Sequence, residues 1–129
     1  MVLVTGGVYQ GKLAFARQFM ERRLAYAPVV ADGRTASFEQ MLKADIISQF
    51  HFWIRYTMQA GEDPWQGAKR LVDENPSAAI LLAQVGCGIV PMDPFERGYR
   101  ETAGRIGCFL AERAETVYLV NCGAAKQIK

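Results

Sequence analysis

The chain has one histidine, His51, and three cysteines, Cys87, Cys108 and Cys122, in 129 residues. The cysteines are odd in number, widely spaced and without a Cys-x-x-Cys pair, so they indicate neither a disulfide framework nor a zinc site. Long apolar runs are missing as well. The longest, such as residues 78–83, falls far short of the roughly 18 residues that span a bilayer. The chain opens on a strand-like Val2-Leu3-Val4 without the charged-then-apolar plan of a signal peptide, so a cytoplasmic protein with no membrane partner is expected. Charge of one sign is also scarce: 15 Lys and Arg against 13 Asp and Glu leave a scattered +2, which predicts no nucleic-acid or anionic-membrane partner. No low-complexity tract suggests disorder. With 50% hydrophobic and 22% charged residues, the composition is that of a globular chain, and the length predicts one domain, 1–129, around one core.

Hydrophobic periodicity predicts strands alternating with helices. Residues 2–5 read as a short buried strand ended by Gly6 and Gly7, and from Lys12 to about Tyr26 the pattern turns helical, with Ala16, Phe19, Met20 and Leu24 on one side. Val29-Val30-Ala31 before Asp32-Gly33 reads as a second strand. Residues 38–59 carry a longer helical stripe through Met41, Leu42, Ile46, Ile47, Phe50, Ile54 and Met58, broken at most once. A loop at 61–64 leads to a weaker helix over 65–73 and a third strand over 79–83. Asp93-Pro94-Phe95-Glu96 combines an N-cap, a proline at the first helical position and a Glu three residues after the cap, which predicts a helix carrying Phe95, Tyr99, Ala103, Ile106 and Leu110 inward. A fourth strand covers 116–120. The expected fold is an α/β, P-loop-type domain with a mainly parallel sheet flanked by helices.

Gly6, Gly7, Val8, Tyr9, Gln10, Gly11, Lys12 and Leu13 join the first strand to the first helix, the context in which a phosphate-binding loop works. Glycines let backbone N–H groups curl around an anion at the positive end of a helix, and the lysine reaches the outer phosphates. The motif is incomplete, because the position after the lysine, normally a Ser or Thr that ligates magnesium, is Leu13. Asp32, at the end of the second strand, is a candidate magnesium-holding carboxylate; the alternative is that Asp32-Gly33 is simply a turn.

Gln84-Val85-Gly86-Cys87-Gly88-Ile89-Val90-Pro91-Met92-Asp93-Pro94, followed by Gly104-Arg105-Ile106, by Ala114-Glu115-Thr116-Val117-Tyr118-Leu119-Val120, and by Gly123 and Ile128-Lys129, resembles the adenosylcobinamide kinase / adenosylcobinamide-phosphate guanylyltransferase family of cobalamin assembly. The likeness is densest over residues 79–129 and 2–12. It implies a P-loop α/β protein, often a trimer, that uses ATP or GTP with Mg to phosphorylate a corrinoid side-chain hydroxyl and then transfers GMP through a guanylylated histidine. Several positions depart from the family's pattern. Gln10 and Leu13 occupy the two hydroxyl positions of the loop, Ala83-Gln84 stands where Asn-Glu is usual, and Gly107 replaces an Asn. The stretch that carries the guanylylated histidine, between the first helix and the second strand, is missing. His51 lies instead in Phe50-His51-Phe52-Trp53, which reads as a core or interface setting.

Two readings follow from this resemblance. In the first, Lys12 and Asp32 are catalytic, Lys12 stabilising transferred charge and Asp32 holding the metal, in a weakened kinase without guanylyltransferase activity. In the second, the chain is a catalytically silent descendant that binds a nucleotide, a corrinoid or another protein. In either case a homo-oligomer, trimeric by resemblance, is expected, with the aromatic residues 47–58 as the candidate contact.

Overall fold

A computed structural model describes residues 1–86 and 92–129. The elements run β1 (Val2–Gly6), α1 (Lys12–Glu21), β2 (Val30–Asp32), α2 (Phe38–Lys43), β3 (Ile46–Ser48), α3 (Phe50–Gln59), α4 (Pro64–Glu74), β4 (Ala79–Ala83), α5 (Pro94–Arg113), β5 (Thr116–Asn121) and β6 (Ala124–Gln127). They build one six-stranded sheet in the order β2-β3-β4-β1-β5-β6. Every pairing is parallel except the antiparallel β5–β6 hairpin. The α/β architecture with a mostly parallel sheet is thus the one the sequence predicts.

Period-two alternation sorts the strand side chains into two layers. Leu3, Ile47, Ile80, Leu82 and Val117 point to one face and pack with Met41, Phe50, Ile54, Ala68, Leu71, Tyr99, Ile106 and Leu110 from α2, α3, α4 and α5. Val2, Val4, Ile46, Ala79, Leu81 and Val120 point to the other, where α1 supplies Ala16 and Met20. β4 is buried along its whole length, as its continuous apolar run requires in a sheet covered on both faces.

One expectation is corrected. Residues 38–59 are not a helix with a single break: α2 stops at Lys43, β3 intervenes, and α3 begins at Phe50. The apolar spacing suits both readings, because Ile46 and Ile47 are wanted on opposite faces of the sheet and not on one side of a helix. Ser37 starts α2 with a reciprocal capping box to Gln40. The other end of α2 is closed by a distant residue, Asn75, whose Nδ2 donates to the carbonyls of Met41 (3.0 Å) and Ala44 (2.9 Å). Asp45 then accepts from the Val29 amide (2.9 Å) and the Tyr26 hydroxyl (3.0 Å), tying the entry of β3 to the entry of β2.

The helix starts agree better. Asp63 caps α4 and Asp93 caps α5, each accepting from the backbone N–H two residues on. Glu96 does not complete a capping box but reaches Arg55 on α3, in a bidentate ion pair with one contact at 2.9 Å. The aromatic crowding around α3 has a packing cause. Phe50 and Ile54 are fully buried, and Trp53 stacks on Phe50 while leaning on Phe38 and Gly67, so α3 is covered from the sheet and from α2 and α4. Only Tyr56 of its aromatic rings is left exposed.

Asn75→Ala should therefore cost more than a surface substitution. Loss of two hydrogen bonds that close α2 should lower stability by about 1–3 kcal/mol, read as a shifted midpoint at unchanged slope in urea unfolding.

Candidate phosphate-binding site

The carboxyl ends of β1, β2, β3 and β4 lie along one edge of the sheet, with Gly6 level with Ala83 and Asp32 level with Ser48. In parallel α/β sheets this edge is where loops form binding crevices. Here the loop from β1 to α1 rises over it.

Its shape is set from beneath. A Cβ on Gly6 would lie 2.3 Å from the Val120 carbonyl oxygen, and φ at Gly6 is 146°, so no larger residue fits there. Cys122 (φ 51°) and Gly123 (φ 77°) form the two-residue turn of the β5–β6 hairpin, both left-handed as a type I′ turn demands. This turn offers its backbone to the loop. The Cys122 amide donates to Gln10 Oε1 (2.6 Å) and the Gly123 amide to the Gln10 carbonyl (2.8 Å). Gln10, at a position where the resemblance expects a hydroxyl, thus holds the loop onto the hairpin.

Gly11 is the N-cap of α1 in left-handed conformation, with no side-chain cap and no acidic residue in the first turn. The positive end of the helix is therefore left for an external acceptor. Lys12 Nζ donates to the Gly7 carbonyl at 2.6 Å, and burial pushes its pKa below the usual lysine value. A cavity of about 310 Å³ opens beside it. Val8, Tyr9, Gln10, Gly11, Lys12, Leu13 and Asp32 all line it, whereas Gly6 and Gly7 do not and meet the site through their carbonyls, which accept from Lys12 Nζ.

Six liners were not assigned to the site by sequence: Arg34, Ser48 and Gln49, and the apolar Ala14, Leu81 and Phe52, the last read as part of the aromatic stretch. Ser48 and Gln49 were concealed by the helical reading of β3. Arg34 had no motif to mark it. It grips Asp32 with Nη2 on Oδ2 (2.8 Å) and Nε 3.2 Å from each oxygen, while its own amide donates to Oδ1 at 2.9 Å. Asp32 thus forms the Asx turn that one of the two sequence alternatives describes, and its side chain also lines the pocket. The guanidinium holds the Asp32 carboxyl below its ordinary pKa.

His51 stands outside this pocket. It is 4% exposed, its Nδ1 has no hydrogen-bond partner, and its ring lies 4.5 Å from that of Phe52. Burial, reinforced by the charges of Lys12 and Arg34, lowers its pKa to about 4. Gln84 is exposed and borders a second cavity of about 400 Å³ on the opposite sheet face, between Leu82–Gly86 and the small residues of α5. The segment Cys87-Gly88-Ile89-Val90-Pro91 of the resembling string lies outside the described residues. Among the described residues no cluster of three His, Cys, Asp or Glu side chains forms a metal site, and no helix is long and apolar enough to cross a membrane.

The sequence profile of the family described as cobinamide kinase / cobinamide phosphate guanyltransferase matches residues 46–128. The chain belongs to this family. Membership connects it with cobalamin biosynthesis and with nucleotide substrates. The match begins with the first residue of β3, so the glycine loop and Asp32 fall outside it and stand on their geometry. No curated protein matches the chain.

A neutral buried histidine makes stability depend on acid. The folded state resists protonation down to about pH 4, whereas an unfolded histidine binds its proton near 6.5, so this contribution is complete above 6.5 and lost as pH falls toward 4. His51→Leu should flatten that part of a urea-midpoint profile against pH and cost little at pH 7, since the unpartnered Nδ1 goes with it.

Proposed function

We propose that this chain is a shortened member of its family that binds the phosphates of ATP or GTP on the 8–13 loop, with weakened kinase activity toward a corrinoid alcohol and no guanylyltransferase activity. The observation that carries this reading is the uncapped, positively polarised start of α1, flanked by Lys12, opening on a cavity at the carboxyl edge of the sheet. Backbone amides bind an anion without help from a hydroxyl, so Leu13 does not disable the cradle. Lys12 would leave the Gly7 carbonyl for a phosphate oxygen, a stronger, charge-paired partner. Phosphoryl transfer relies on positioning and electrostatics, which is why the loss of one side chain weakens it without removing its basis.

The absence of guanylyl transfer rests on His51. A histidine that carries GMP must be accessible and oriented by a partner, and this one is buried with Nδ1 unpaired. A second reading, a binding subunit without turnover, draws support from Leu13 and from Asp32 being engaged by Arg34. We further propose that the protein works in the cytoplasm as a homo-oligomer, trimeric by family resemblance. With Phe50 and Trp53 packed internally, the contact would have to use Tyr56 and neighbouring surface instead of the whole aromatic helix.

Calorimetric titration with ATP and GTP should show binding that Lys12→Ala weakens about tenfold or more. Corrinoid-dependent ADP formation, however slow, supports the kinase reading; binding without it supports the silent subunit. No binding of either nucleotide would refute the kinase reading and restrict the silent subunit to a corrinoid or protein ligand. Labelled GTP should leave no acid-labile label on the protein, and an adduct abolished in His51→Ala would reverse the assignment.

A further inference from the structure

The donors around this cavity do not suit the magnesium ion that a nucleotide kinase of this type would use. That ion takes hard oxygen ligands in near-ideal octahedral geometry. Leu13 offers none. Asp32 is the one carboxylate lining the pocket among the described residues, and both its oxygens are already held by Arg34. Ser48, level with Asp32 on the neighbouring strand, contributes a neutral hydroxyl. What the pocket has in place of an acidic metal cradle is positive charge: Lys12 and Arg34 against Asp32 alone.

We propose that this pocket takes its polyphosphate without a divalent cation, with the Arg34 guanidinium, buttressed by Asp32, supplying the charge that magnesium would otherwise supply. The proposal deepens the nucleotide-site reading and rests on it. Its geometry is specific. Asp32 engages Nε and Nη2, and among the described residues nothing engages Nη1, which keeps two N–H groups for a ligand. The Asx turn on Arg34's own amide sets where its side chain starts, so Asp32 positions the guanidinium at its root as well as its head. The Arg34 side chain is half exposed, and it lines the same cavity as Lys12 and the first residues of α1. A planar fork in that place suits two phosphate oxygens in a way that an ammonium does not. The recognised chemistry is a chain of linked phosphates, from a nucleoside triphosphate or from inorganic polyphosphate.

The test is calorimetry on the full chain with ATP, GTP and inorganic tripolyphosphate, each in EDTA and in excess magnesium. In EDTA the natural protein should bind within about threefold of its affinity in magnesium, and Arg34→Ala should lose about tenfold or more. Arg34→Lys, which keeps the charge and loses the fork, should fall between. Tripolyphosphate binding as tightly as ATP would name the phosphate chain alone as the ligand; a clear preference for ATP or GTP would make it a nucleotide. Binding that appears only with magnesium overturns the proposal and leaves the nucleotide-site reading intact. So does an Arg34→Ala protein that binds normally in EDTA, or an Arg34→Lys protein as weak as Arg34→Ala, which would mark a merely structural residue. No binding of any of the three under either condition defeats the nucleotide-site reading, and this proposal falls with it.

Discussion

The seating of one loop on one turn governs this molecule. Gly6 can approach the Val120 carbonyl only because it has no side chain, and that closeness brings the β5–β6 turn under Gln10. Each partner is in a conformation it would not choose alone: Cys122 is left-handed without being a glycine, and so is Tyr9 within the loop. Such backbone persists where its surroundings over-determine it. The hydrogen bonds from the turn satisfy the backbone and side-chain carbonyls of Gln10 and fix the loop on the hairpin. The hairpin, whose outer strand β6 is exposed along its whole length, is in this sense part of the candidate site.

Electrostatics then decides what such a loop can hold. A carboxylate beside a phosphate is useful when a metal lies between them and repulsive when none does. In this pocket the carboxylate is neutralised within its own turn by a residue two positions along, so the approach of a negative ligand meets a net positive wall. Leu13, which has no oxygen to offer a cation, and the pairing of Asp32 with Arg34 both fit the metal-free mode proposed above.

Much of the fold was legible from residues that act locally. Asp93 with Pro94 announced α5, the apolar run of β4 announced a strand buried on both faces, and the spacing from Ala16 to Met20 announced α1. β3 was not legible because three residues cannot establish a period of two, and Ile46 and Ile47 also complete a helical stripe begun by Met41. What breaks the helix is Asn75, more than thirty residues away, which no local pattern could supply. β6 was hidden for another reason: Ala124-Ala125-Lys126-Gln127 is exposed along its whole length and carries no alternation. In the site, residues 8–13 and Asp32 were found through strand-loop-helix chemistry, while Ser48 followed the fate of β3 and Arg34 became visible only as the partner of Asp32.

The two faces of the sheet are unequally protected. Four helices lie over one of them and α1 alone over the other, where Phe15, Phe19 and Tyr118 are only partly covered. Amide exchange in such a structure follows local opening, and the segment with the least cover opens first. α1 is therefore the helix with the least company over its sheet face, and its amino end borders the candidate phosphate site. An anion bound as proposed would hold that end in place and make ligand occupancy a clamp on the least protected layer of the molecule, with protection spreading from residue 12 along α1 to the strands beneath it.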